Sequence, residues 1–433
     1  MVSRGRRVIL VQRRERGEKS YLYELRELAE AAGYEVVAEV EQVRPPSSKY
    51  QIGPGKVREL AEMVKSLNVD KVIFFNELKP VQAYNLQKEL GVEVEDRFQL
   101  ILEIFASRAG TREAKLQIEL ARLKRELSFI KEALHLAKLE EFPGYMGGGE
   151  YVIDAYYRHA VARISKIERE LRRIRERKGT YWVRRVESGL PALALTGYTG
   201  AGKTTLFNRL TGYVGYVDGK PFATLSTKVK RVRIRGHPAL VSDTIGFIDC
   251  LPPLLIDAFY TTLGEILYAD LILLLLDVSE EEGEILRKLD ASLGILMSLG
   301  VPRERIILVA NKIDKVGEAA LAKRLETLRD KYSLPMVAIS ALRGTGLREL
   351  EEKIIKMLPD YARALVKVPV GEYGLVKVLH ESSCVEGITY NDGYVILHVA
   401  GKRGWLERLR RRVEEVGGEV IFGHDGLGPE AGA

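Results

Sequence analysis

The sequence predicts an α/β multidomain protein. In order, it should contain a small parallel α/β N-terminal domain, an antiparallel helical hairpin, a larger parallel α/β domain and a small split βαβ (ferredoxin-like) C-terminal domain. Three observations predict this. Short β-branched runs alternate with amphipathic stretches in two separate regions, as in parallel sheets covered by crossover helices. Between those regions, apolar residues recur at steps of three and four over two long tracts separated by glycines, the pattern of two helices packed on each other. Near the end, an Asp-Gly turn joins two alternating runs flanked by helical stretches, reading β-α-β-β-α-β. The boundaries expected are 1–95, 96–185, 186–360 and 361–433, since 433 residues exceed one ordinary core.

In the first domain, strands are expected at Val8 to Val11, Glu35 to Val40 and Lys71 to Phe75, and helices near Tyr21 to Ala32, Val57 to Leu67 and Val81 to Leu90. The segment "GPGK" at Gly53 to Lys56 opens one of these helices. It reads either as an anion site made of helix N–H groups or as a loop that needs glycine for tight geometry. From Asp96 the pattern turns helical. Leu116, Leu120, Leu123, Leu127, Ile130, Leu134 and Ala137 form one seam, and Ile153, Tyr157, Ala160, Ile164, Ile167, Leu171 and Ile174 form another. "FPGYMGGGE" at 142–150 is expected to be the hairpin tip. In the last domain, strands are expected at Val366 to Val370, Val385 to Tyr390, Tyr394 to Val399 and Glu419 to Phe422, with helices near Glu372 to Glu381 and Trp405 to Val416.

Composition narrows the function classes. Lys+Arg number 67 against 60 Asp+Glu, a net charge of +7, and the basic residues cluster at Arg4 to Arg16, Arg158 to Arg185 and Lys402 to Arg412. Such clusters read either as solvated helix faces or as the footprint of a polyanion. Cys250 and Cys384 stand far apart and the six histidines are scattered, so no disulfide framework or metal cluster is expected, and the setting expected is reducing and cytoplasmic. The longest apolar run, Leu271 to Leu276, is far too short to span a membrane.

The third region carries the chemistry. "ALALTGYTGAGKTT" places an apolar strand before Gly197-xxxx-Gly202-Lys203-Thr204 and a helix after it. There the glycines let backbone N–H groups surround phosphates, Lys203 brings a point charge to the β- and γ-oxygens, and Thr204 offers its hydroxyl to Mg²⁺. "ALVSDTIG" ends a strand in Asp243 and Gly246, where a carboxylate can hold Mg²⁺ through water and an N–H can meet a γ-phosphate. "IILVANKID" ends in Asn311-Lys312-Ile313-Asp314, and "MVAIS" leads into Ser340-Ala341-Leu342. Asp314 can accept from the N1–H and 2-amino group of guanine, and adenine offers no such donors. This makes the third region a P-loop GTPase domain. Thr224 and Thr227, in "FATLSTKVKRVRIRGH", are both candidates for a switch hydroxyl that completes Mg²⁺ coordination.

These strings, "GYTGAGKTTLFNRLTG", "FATL", "DTIGF", "NKID" and "SAL", resemble those of the HflX GTPases, as do the upstream "IGPGKVREL" and "VEVEDRFQLILEIFASRAGTREAKLQIELARLKREL". The likeness covers roughly residues 1–360. It implies a cytoplasmic Mg²⁺-dependent GTPase, with GTP and GDP as ligands, that binds the large ribosomal subunit and its RNA and is stimulated by it in ribosome splitting, rescue or biogenesis; a monomer is expected. Carried over position by position, it sets Gly197, Tyr198, Thr199, Gly200, Ala201, Gly202, Lys203, Thr204 and Thr205 around the phosphates. Phe222, Ala223, Thr224 and Leu225 become the first switch, which favours Thr224 over Thr227. Asp243, Thr244, Ile245 and Gly246 become the γ-phosphate sensor, and Asn311, Lys312 and Asp314 with Ser340, Ala341 and Leu342 become the base pocket. Mg²⁺ then falls to Thr204, Thr224 and, through water, Asp243, and catalysis to Lys203, Thr224 and Gly246.

Departures from the family pattern shape the expectation. Gly200 stands where the family usually has an asparagine that helps hold K⁺, so K⁺ stimulation is not expected. The family's "GPGETQLE" is absent from the hairpin, where "GGGEYVIDAYYRH" stands instead. Phe247 follows Gly246 where Ras-type switches have a water-orienting glutamine, so a partner is expected to supply that group. The alternative is a GTP-gated RNA-binding or RNA-remodelling module with negligible hydrolysis of its own.

Overall fold

The computed structural model describes residues 6–138, 149–213, 228–244, 246–247 and 264–423, with side chains inside the long helices described except at 131–138, 149–154, 175 and 178–187. They fall into two compact units, which part at Ile174 and Arg175.

The first unit opens with a parallel sheet ordered β2-β1-β3-β4, built from β1 (Arg7–Arg14), β2 (Glu35–Val43), β3 (Lys71–Phe74) and β4 (Glu93–Asp96). Helices α1 (Leu22–Ala31), α2 (Pro54–Ser66) and α3 (Pro80–Leu90) connect them. β1 is central, and Val8 to Val11 are fully buried, which is why that run is apolar on both faces. Val57, Leu60 and Val64 of α2 and Leu86 and Leu90 of α3 pack on Ile9, Val11, Val72 and Phe74. Periodicity did not predict β4. Three of its four residues are carboxylates, and only pairing with β3 and the burial of Val94 make it a strand.

Asp96 ends that strand and begins α4 (Arg97–Arg108) as its N-cap, accepting from Gln99 N at 3.2 Å and Leu78 N at 3.0 Å. It also pairs with Arg125 of α5 (Arg112–Lys138), whose guanidinium lies 4.4 Å from the Phe98 ring centroid. α5 packs on α6 (Gly149–Glu187) through buried Leu116, Leu120, Ile164, Ile167 and Leu171. Arg112 pairs with Glu170, Glu119 with Arg163, and Glu126 with Tyr156; one partner number rises as the other falls, so the helices run antiparallel. Of the expected tip at 142–150, residues 142–148 lie outside the described residues, and α6 begins at Gly149.

The second unit contains a sheet ordered β10-β9-β8-β5-β7-β6. Its strands are β5 (Ala192–Gly197), β6 (Lys228–Ile234), β7 (His237–Asp243), β8 (Leu271–Asp277), β9 (Ile306–Asn311) and β10 (Met336–Ala338). Neighbours run parallel except β6, an edge strand antiparallel to β7. α7 (Lys203–Thr211) leads away from β5, and Leu206 and Phe207 bury its inner face against Val241 and Ile234.

The same unit ends in an antiparallel sheet ordered β12-β13-β11-β14: β11 (Tyr361–Pro369), β12 (Cys384–Asn391), β13 (Tyr394–Lys402) and β14 (Glu419–Phe422). The two helices of this domain, here numbered α11 (Tyr373–Ser382) and α12 (Arg403–Glu415), bury Leu379, Leu406, Leu409 and Val413 on it; α8 (Glu282–Ser298), α9 (Glu318–Tyr332) and α10 (Leu347–Met357) precede them. The β12–β13 turn has φ of 45° at Asp392 and 80° at Gly393, the two positive values that a tight right-twisted hairpin requires. Among the described residues, no helix is long and apolar enough to cross a membrane.

Candidate nucleotide-binding site

The predicted motifs converge at the C-terminal ends of β5, β7 and β9, where parallel sheets place their ligands. The turn out of β5 needs its glycines. Gly197, Gly200 and Gly202 have φ of 134°, 79° and 95°. A Cβ on Gly197 would strike the Leu275 carbonyl, and one on Gly202 the Asn311 side-chain amide, whereas Gly200 faces open space.

Lys203 opens α7 with its ammonium buried, donating to the carbonyls of Gly197 at 3.0 Å and Tyr198 at 2.8 Å. Burial pushes this ammonium down to about 8, with Asp243 drawing it up and Lys312 pressing it further down. Thr204 donates its hydroxyl to Asp243 at 3.0 Å. A hydroxyl and a carboxylate this close, at the mouth of a phosphate turn, are the hard oxygen donors that suit Mg²⁺ shared with phosphate. Thr205 follows in the same helical turn. Thr244 turns inward, its hydroxyl donating to the Leu195 carbonyl at 2.8 Å, and so ties the sensor stretch to β5.

Gly246 lies against the phosphate turn; a Cβ there would come within 2.8 Å of Thr199 Cγ2 and 2.9 Å of Lys203 Nζ. Phe247 is only 2% exposed, and its main chain pairs with the turn: its N–H donates to Gly197 at 3.0 Å and its carbonyl accepts from Thr199 at 2.8 Å. The first residue past Gly246 is thus a buried rung beside the phosphate turn. Phe222, Ala223, Thr224, Leu225, Thr227 and Ile245 lie outside the described residues.

On the base side, Ser340 donates its hydroxyl to Asp314 at 2.5 Å, and that bond holds the Asp314 carboxyl below its ordinary value. Asn311 is buried and reaches two loops at once. Its amide N donates to the Ala201 carbonyl at 2.8 Å, and its amide O accepts from Ala341 N at 2.9 Å. The Leu342 side chain is 67% exposed, while its carbonyl accepts from Arg209.

Lys312, with φ of 68°, aims its ammonium at Asp277, 2.5 Å away. Sequence reasoning missed Asp277. Burial raises its carboxyl, yet Lys312 and the Ser279 hydroxyl and N–H outweigh that and hold it below the ordinary value. The available signal was an acid closing the apolar run Leu271 to Leu276, beside the strand that carries Asn311.

Residues 19–106 match the family described as GTP-binding GTPase N-terminal, residues 108–185 the GTP-binding GTPase middle region, and residues 192–312 the 50S ribosome-binding GTPase. A GTPase HflX of Thermofilum pendens is 54% identical over 414 residues, spanning 94% of this chain and 97% of its own. Another, of Thermococcus kodakarensis, is 40% identical over 439 residues, spanning 98% and 97%. The crystal structure of a GTP-binding protein from Sulfolobus solfataricus in complex with GDP is 31% identical, covering 82% of this chain and 98% of its own, with a TM-score of 0.45.

Proposed function

The chain belongs to the HflX family of GTPases, and on that premise we propose that it is a Mg²⁺-dependent switch that docks on the large ribosomal subunit in the cytoplasm and hydrolyses GTP slowly until that partner accelerates it. That it is a GTP hydrolase follows from the family; the partner dependence is our reading. The observation that carries it is Phe247. A ring that is 2% exposed and paired by its main chain to the phosphate turn can orient no water.

Backbone N–H groups of the turn from Gly197 to Lys203 hold the phosphates, and the Lys203 ammonium leaves its two carbonyls for the β- and γ-oxygens. Thr204 and Asp243 would hold Mg²⁺, with Thr224 the expected switch hydroxyl; when bound, the ion would supply positive charge against the charge that builds on the phosphate oxygens. Gly246 N–H meets the γ-phosphate. Asp314, fixed by Ser340, accepts from both guanine donors. Unaided turnover is then on the order of 10⁻⁴ to 10⁻³ per second, and a group supplied by the partner is worth about 10³ to 10⁵, or roughly 4 to 7 kcal/mol.

The exposed basic arm of α6, with Lys166, Arg169, Arg172, Arg173 and Arg177, supports an RNA-bearing partner. The test is GTP turnover with and without purified large ribosomal subunits, together with subunit binding in GTP and in GDP. Stimulation and GTP-selective binding are expected. Selective binding without turnover would favour the RNA-binding module, and the absence of both effects would refute the ribosomal reading.

A further inference from the structure

β6 is the edge of the GTPase sheet, and Arg231 and Arg233, two residues apart, project from one face of it. Both guanidiniums reach the C-terminal end of α11. Arg231 donates to the Glu381 carbonyl, and Arg233 donates to the His380 carbonyl at 2.7 Å. Carbonyls in a last helical turn lack intrahelical donors and carry the negative end of the helix dipole, so two cations there form a directed attachment rather than a chance surface contact.

The β6–β7 turn is held as well. Gly236, with φ of 87°, lies against Cys384, and a Cβ on it would stand 3.2 Å from the Cys384 sulfur. His237 Nδ1 and the Tyr361 hydroxyl are 2.9 Å apart, and that hydroxyl lies 3.2 Å from the Ala400 carbonyl. Nearby, Lys402 pairs with Asp270 at 2.6 Å, and Asp270 also accepts from Ala192 N, the first residue of β5.

The register gives these contacts their reach. Ile234 opposes His237 beside the gripped turn, and Lys228 opposes Asp243 at the other end of the same ladder. Seven paired residues, about 20 Å of strand, therefore connect the C-terminal domain to the carboxylate that meets Thr204. β7 is held by β5 and Arg235 of the turn pairs with Glu352 of α10, but β6 itself pairs on one side only, so the C-terminal domain adds a further restraint on this edge strand.

We propose that the C-terminal domain is an intramolecular brake on nucleotide exchange: by gripping the β6–β7 turn it steadies the edge strand β6, whose far end pairs with Asp243, and its release frees that edge to move. This rests on the GTPase reading above. Exchange needs the residues around the phosphates and metal to open, and Asp243 is flanked by Leu195 of β5 on one side and Lys228 of β6 on the other, so loosening β6 loosens one of its two supports.

The experiment measures release of fluorescently labelled GDP from the full-length protein. Arg231→Ala with Arg233→Ala should speed release by about fivefold or more, the lower end of ordinary coupling between sites. In a Cys250→Ser background, Gly236→Cys places a thiol within reach of Cys384, since a Cβ at 236 would stand 3.2 Å from the Cys384 sulfur, close to the roughly 3 Å that disulfide geometry sets between a β-carbon and the opposite sulfur. Oxidised glutathione would accept the two electrons and two protons, and the bond, verified by mass, should slow release by about fivefold or more, reversibly with dithiothreitol.

Release within twofold of wild type in the double arginine variant would overturn the brake, and so would equal rates in the bridged and reduced Gly236→Cys protein. If Gly236→Cys fails to fold or to bridge, the arginine pair alone decides. Absence of any GDP binding by the wild type would instead refute the GTPase reading beneath it.

Discussion

Two segments of this chain lead from a parallel strand into a helix with glycines followed by a lysine: Gly53 to Lys56 and Gly197 to Lys203. At the first, Gly53 has an ordinary φ of −74° and its N–H is already taken by the Gln42 side chain at 2.8 Å. Lys56 pairs with Glu59 at the surface, and Gly55 has open space around it. At the second, three glycines sit at positive φ, two of them where a Cβ would collide, and the lysine is buried with its donors turned on the loop's own carbonyls. Glycine and lysine in sequence make a phosphate cradle only when the backbone needs the glycines and the lysine is drawn inside. At "GPGK" these contacts favour the loop reading, with Arg44 and Gln42 packed against Gly53.

The largest effect should separate the two loops. Lys203→Ala and Gly202→Ala should each weaken GDP binding by about 100-fold or more, roughly 3 kcal/mol, in a fluorescence titration, while Lys56→Ala and Gly55→Ala leave it within about twofold. Equal losses at Lys56 would break the contrast. Next, Asp314→Asn should lower GTP affinity by roughly 30-fold, about 2 kcal/mol, and let xanthosine triphosphate compete, because the paired acceptors for the guanine donors are gone. An unchanged preference would remove Asp314 from the base pocket.

A third comparison sets the two lysine–carboxylate pairs side by side. Asp277→Asn should cost about 1–3 kcal/mol in denaturant unfolding, because it weakens a buried bond to Lys312, and Glu59→Gln under about 0.5 kcal/mol. The Asp277 carboxyl is held below its ordinary 3.8, so its contribution is present above that value and fades as pH falls through the lower folded value. The gap between wild type and Asp277→Asn should accordingly narrow on acidification below pH of about 4. Smallest of all, Gly200→Asn should cost about 1 kcal/mol or less, since asparagine tolerates a φ of 79° and nothing crowds the position. It should also make turnover faster in K⁺ than in Na⁺; equal rates would show that the asparagine amide does not suffice.

Much of the fold was legible because burial leaves a period in the sequence. Val8 to Val11 and Glu419 to Phe422 became strands, and the seams through Leu116 and Leu120 and through Ile164, Ile167 and Leu171 became a packed pair of helices. β4 was not legible, because Glu93, Glu95 and Asp96 are strand residues only by virtue of what lies beside them. Lys203, Thr204 and Asp243 are brought together at the end of β5, and Asp314 beside Ser340, as the motifs led one to expect, because phosphate, Mg²⁺ and guanine would each demand particular atoms at fixed spacing. Asp277 answers to another side chain rather than to a ligand, and so no motif announced it.

Asn311 has a further consequence. Its amide binds the turn of Gly197 to Lys203 with one atom and the loop of Ser340 to Leu342 with the other, and it occupies the space a side chain on Gly202 would need. The pocket has a keystone rather than two independent walls: on the proposed assignment an Asn311 variant would loosen both loops together, so a change aimed at the base would also be felt at the phosphates.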